Sequence, residues 1–317
     1  MSLFGYTPNP EENEWILSDP DVPGVFGLSP NDANRIRQSW TLNKRHLLLT
    51  DALLALVPSW KRGAQGIGDC VAWGWALAAD IATAVDIVVD KEPWKFKGLY
   101  ATEPLYGGGR VESQGKTFAG WRDGSFGGAT AKWVTKWGLL RKLNYSVATG
   151  NREHDLTKYS SDKAKNWGAY GCGGKNDKGK LDTVARDYPV KEAVLVTNFD
   201  DAANCIFNGW PIAVCSGQGF TKTRDKDGFC SPRGSWSHCM TFAGVRFDRP
   251  GLLCLNSWGY SNKGPHGIPT HDEVMKCGFW VDAKVAEKML RGQDSYAVTG
   301  VRGLEPREVD FGKGWEI

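Results

Sequence analysis

The chain has 317 residues, 41% of them hydrophobic and 24% charged, with a formal net charge of +3 at pH 7. That is enough material for one large domain or two modest ones around a sizeable core. The near-balanced charge leaves no footprint of nucleic-acid or bilayer binding. The opening stretch MSLFGYTPNPEENEW has neither a basic n-region nor an apolar core, and no run reaches the roughly 18 apolar residues of a membrane helix, so no export signal or span is expected.

Residues 1–56 read as an extended N-terminal arm. Its first 30 residues are rich in Pro, Asp, Asn and Gly, which favours extended chain over a folded layer. Ser29 and Pro30 could cap a short helix over 31–40. The arm could be a docking arm or a cover over a cleft. From Gln65 the sequence QGIGDCVAWGWALAADIATAVDIVVD predicts a glycine-rich turn ending on Cys70 and running straight into a long apolar helix, stopped by Pro93. A loop-rich region with three glycines at 107–109 follows. Trp133, Val134 and Trp137 share one face of a second helix that ends at Gly138. Residues 150–185 are polar and rich in Gly and Lys, a surface insertion anchored by Trp167 and Tyr170. Between 186 and 290 the runs VKEAVLV, PIAVCSG, HCMTFAGVRF and GLLCLNSWG predict an antiparallel sheet, with DAKVAEKMLR as a helix near its end and an irregular tail over 291–317. The fold class is α+β: a helix-led half (57–150) against a sheet-led half, with a cleft between them.

Eight cysteines form no CxxC pair and no zinc-ligand spacing, so no metal or cofactor is expected. Several sit in apolar strand-like runs and read as buried free thiols, as suits a reducing compartment. Cys70 differs, because the first turn of a helix favours an anion and so raises the thiolate fraction. His238 precedes one strand and Asn256 ends the next. Neighbouring antiparallel strands would join imidazole and amide, fixing the tautomer and leaving the other ring nitrogen to take the thiol proton. Gln65 could offer a side-chain N–H beside the Cys70 backbone N–H as an oxyanion hole.

Q-G-x-x-x-C before an aromatic-rich helix, the DGS turn at 123–125, NGWPIAVC, S-H-C-M and NSWG together resemble the papain-like cysteine peptidases over residues 57–282. The resemblance implies Cys70 as nucleophile, His238 as base, Asn256 as orienting residue and Gln65 as oxyanion donor. It further implies that Trp258 shields the imidazole–amide bond and that Gly124 and Ser125 lie along the substrate backbone. Ser125, Val214 and Ala243 are candidates for lining the pocket. The implied activity is hydrolysis of peptide bonds in a polypeptide substrate, and the texture is similar to phage-encoded or bacterial members. That likeness would make other virion proteins partners of residues 1–56, and place the chain in host cytoplasm or virion. The departures are IGDCV around the nucleophile, an Asp at 69, a glutamine one residue closer than usual, and no inhibitory propeptide of the usual length. Competing readings are a papain fold kept as a docking module, a cell-wall amidase, and a transglutaminase-like amide transfer.

Overall fold

The computed structural model describes Tyr6 and residues 46–114, 123–259, 266–267 and 276–306; the expected helix at 31–40 lies outside them. Helix α2 (Cys70–Val88) runs through the middle of the molecule, and every residue from Cys70 to Ile87 is buried. Its alanines make it thin enough for protein to close on it from all sides. Trp75 and Ala79 join a core shared with the helices, while Leu77 and Ile81 join a second core under the sheet. A helix apolar all round is one with no solvent face. This helix is in fact long and apolar enough to cross a membrane, contrary to the expectation above. Its apolar window is 94% buried inside the protein, which accounts for its composition. It ends at Val88, five residues before Pro93, where Lys91 takes a left-handed φ of 58° and its ammonium donates to the Val88 carbonyl.

The helical half comprises α2, α3 (Thr102–Arg110), α4 (Gly127–Lys136) and α5 (Ser161–Tyr170). The three glycines at 107–109 form the end of α3 rather than a loop. A Cβ on Gly108 would lie 2.2 Å from the Trp133 indole, so close helix packing, not a turn, requires glycine there. Residues 150–185, expected as a surface insertion, also reach the core through Leu156, Ala164 and Trp167. Helix α5 packs on α3 with Trp167 fully buried, although Tyr170, the other expected anchor, is half exposed.

The sheet is antiparallel in the order β2 (Ala193–Leu195), β7 (Tyr296–Val298), β3 (Ile212–Phe220), β4 (Pro232–Arg246), β5 (Gly251–Leu255), β6 (Gly278–Asp282). Strand β1 (His46–Leu48) pairs with the last three residues of β4, beyond the point where β3 has ended. Two boundaries therefore move. Leu47, Leu48, Leu49 and Leu53, from β1 and the following helix α1 (Thr50–Leu56), sit in the sheet-side core, so residues from His46 on, ahead of 57, belong to the packed body. Strand β7 lies inside the sheet, so the body extends past 290 into what reads as tail.

Helix α2 meets β4 at Gly74. A Cβ there would fall 2.7 Å from Cys239 Sγ and 3.0 Å from the Met240 carbonyl, and Thr241 Oγ1 donates to the Gly74 carbonyl at 2.9 Å. Gly to Ala inside a helix normally stabilises by about 1 kcal/mol, but forcing a methyl into a full core costs about 1–3 kcal/mol. Gly74→Ala should therefore lower stability by up to about 2 kcal/mol in urea unfolding; an increase would show that helix and strand can separate freely.

Candidate active site

Strands β4 and β5 place His238 and Asn256. The register pairs Thr241 with Leu255, so the ring three residues upstream faces the amide that follows Leu255. His238 Nε2 and Asn256 Oδ1 are 2.8 Å apart, and the same oxygen accepts the Ser257 N–H at 2.7 Å. An amide oxygen only accepts, so Nε2 carries the ring proton and Nδ1 is the basic nitrogen of the neutral imidazole. The Trp258 ring stacks on His238 at 4.9 Å, with Trp236 4.8 Å from Trp258, so indole covers the imidazole–amide bond. Burial lowers the His238 pKa to about 4; the Asn256 bond opposes this, while the Arg62 cation adds to it. The ring is neutral above that pH.

Cys70 is the first residue of α2 and is fully buried. It lies one helical turn before Gly74, and His238 lies two residues before Met240, so each is within a few residues of the contact between helix and strand. Gln65 is fixed from both sides: its backbone N–H donates to the Ser257 carbonyl at 3.0 Å and its Oε1 accepts from Ser257 Oγ at 2.5 Å. That sets which end of the amide is nitrogen. Nε2 points to the turn before Cys70 and gives one N–H to the Ile67 carbonyl at 2.9 Å.

Two residues that the sequence did not single out as site residues in this way complete the surroundings. Arg62 is buried; Nε donates to the Asn256 carbonyl at 3.2 Å and Nη2 to the Trp73 carbonyl at 2.9 Å, tying the end of β5 to helix α2. Nothing in its KRG context signals this. Asp69 is fully buried beside Cys70, and its Oδ2 accepts from Trp73 Nε1 at 3.2 Å and from the Tyr159 hydroxyl at 2.9 Å. Burial pushes its pKa up to about 8 against those hydrogen bonds, so at neutral pH it is mostly uncharged. The repulsion expected between Asp69 and a thiolate is therefore muted.

Tyr6 lies between the two walls: its N–H donates to the Ser237 carbonyl at 3.1 Å, and it bridges to Ser125 in parallel fashion. The Gly124 N–H donates to the Tyr106 hydroxyl at 3.1 Å and its carbonyl accepts from Arg110. Val214 and Ala243 are buried in the sheet-side core, away from the cleft. Cys215, next to Val214, instead lines an open cavity that Tyr6 borders, and its register partner on β4 is Cys239. Strand alternation makes a one-residue error switch faces, which is how the sequence reading took Val214 for Cys215. All eight cysteines are free and buried. Among the described residues no group of three or more His, Cys, Asp or Glu side chains could hold a metal ion.

A helix-led half, an antiparallel sheet half and a cleft at the start of the central helix make up the papain-like fold. Among solved structures the chain is similar to xylellain, a cysteine protease from Xylella fastidiosa, at 16% identity over 95% of this chain and 97% of that one, with a TM-score of 0.57. It is also similar to procathepsin B from Trypanosoma congolense, at 10% identity over 95% of this chain and 87% of that one, with a TM-score of 0.51. No protein-family model matches the sequence, and no curated protein matches it.

The Asp69 carboxyl holds its proton in the folded state to about pH 8 and in the unfolded state only to about pH 4. Between those values the native state binds more protons, so this group lowers stability as pH rises. The margin by which Asp69→Asn melts above the wild type should grow between pH 5 and pH 8; an equal margin at both would show an ionised native Asp69. Arg62→Met strands two buried carbonyls and should cost about 2–4 kcal/mol in urea unfolding.

Proposed function

We propose that the chain is a thiol peptidase that cleaves polypeptides through an acyl-enzyme. Cys70 Sγ gives its proton to His238 Nδ1 and attacks the substrate carbonyl. The oxyanion is met by the Cys70 backbone N–H and the Gln65 amide, and the ring returns the proton to the leaving amine. Water then takes the same proton path to hydrolyse the thioester. The observation that carries this reading is the 2.8 Å contact of His238 Nε2 with Asn256 Oδ1, which commits the ring to the tautomer a general base needs. The fold shared with xylellain supports it. So does the Gln65–Ser257 pair, which turns amide nitrogen rather than oxygen toward the nucleophile loop.

Iodoacetamide labelling followed by mass spectrometry tests the reading. Once Tyr6 is displaced, Cys70 should react far faster than the other seven buried thiols, and hydrolysis of fluorogenic peptides should fall by about 10³-fold or more in Cys70→Ala and His238→Ala. Asn256→Ala should reduce kcat with less change in KM, because it frees the ring to choose the wrong tautomer. Labelling of Cys70 at the rate of its neighbours, with no turnover, would leave a papain fold serving as a docking module.

A further inference from the structure

Tyr6 is held by its backbone between Ser237, which borders a candidate catalytic residue, and Ser125. Ser237, whose carbonyl takes the Tyr6 N–H at 3.1 Å, directly precedes His238, and it sits at the unusual φ of 38°. Ser125 faces Tyr6 from the opposite wall. A polypeptide that brings a carbonyl to Cys70 has to run along these same two edges. The Tyr6 side chain turns inward and the residue is only 7% exposed. It shares a core cluster with Cys70, Cys215 and Cys239. The phenol is pushed well above its usual pKa by burial first, then by Asp294 and the thiols of Cys215 and Cys239, which identifies its surroundings.

Those surroundings have a defined chemistry. Two thiols opposite each other on β3 and β4 give a soft, polarisable wall suited to an aromatic face. Asp294 is buried, and its two carboxyl oxygens accept the N–H groups of Gly127 and Gly128, each at 2.7 Å, at the start of α4. Each oxygen keeps a lone pair, which a neutral hydroxyl can use as donor without the cost of burying a charge. Tyr6 also borders an open cavity of about 420 Å³ lined with Cys215, Ser216, Gln218, Lys288 and Met289, which leaves room for the residues flanking a bound side chain.

We propose that the pocket filled by Tyr6 is the specificity pocket of the peptidase described above, that it selects polypeptides presenting a tyrosine side chain there, and that Tyr6 is the occupant such a substrate displaces. The inference rests on the peptidase reading, and two assays separate them. Binding needs no turnover: in the full chain carrying Tyr6→Ala with Cys70→Ala, a tyrosine-containing peptide should bind at least tenfold more tightly than the same peptide with arginine or alanine in its place. Turnover is then read in Tyr6→Ala alone with a positional scan of fluorogenic peptides. One position on the acyl side should favour tyrosine over leucine and arginine at least tenfold in kcat/KM, and Tyr6→Ala should exceed the wild type severalfold on every peptide. Tyrosine-selective binding without cleavage would uphold the pocket and overturn the peptidase. Cleavage with a flat or arginine-favouring profile would overturn the pocket and leave the peptidase standing.

Discussion

The close approach of the central helix to strand β4 at Gly74 is the constraint on which the rest depends. With no side chain between them, the helix lies against the strand backbone, and Thr241 bonds to the Gly74 carbonyl. One turn back along the helix is Cys70; two residues back along the strand from Met240 is His238. Both are thus within a few residues of a contact held by packing far stiffer than any loop. Arg62 adds a second tie by joining the Trp73 and Asn256 carbonyls, and the Gln65–Ser257 pair adds a third by fastening the glycine-rich turn to the loop after β5.

Buried acids do much of the fastening elsewhere. Asp80 in the central helix accepts the Tyr100 N–H at 2.8 Å, and Asp294 accepts the two amides that open α4. Burial raises both carboxyls to about 7. These groups weaken the fold as pH climbs from about 4 to 7, because the unfolded chain releases their protons sooner. His238 works the other way: with a folded value near 4 against the usual 6.5, it adds stability as pH rises between those values. The carboxyls outnumber it, so the balance of these groups tilts the fold toward mildly acidic conditions.

Much of this was legible in the sequence because it lies in contiguous pattern. The apolar run after Cys70, the S-H-C-M and NSWG strand ends, and the period-two runs in the second half carried the α+β class and the imidazole–amide contact. What escaped reading depends on packing at a distance. The glycines at 107–109 look like a loop until the Trp133 indole is seen lying over Gly108. The polar stretch around Trp167 hides a helix because only its inner face, with Ala164 and Trp167, is apolar. Strand β7 looks like irregular tail since three residues give no period. Tyr6 could be foreseen only as part of a possible cover, because composition does not say where an extended segment lies down.

The burial of the Cys70–Val88 helix has a consequence for synthesis. Its partner Thr241 is 167 residues downstream of Gly74, so at ordinary elongation rates a nascent chain waits roughly 8–33 s before the covering strand is made. For that interval an Ala- and Trp-rich helix with the apolarity of a membrane segment has no sheet to lie against. A ribosome translating this message therefore presents chaperones with a client, and conditions that slow translation between those points should lower the soluble yield of the protein.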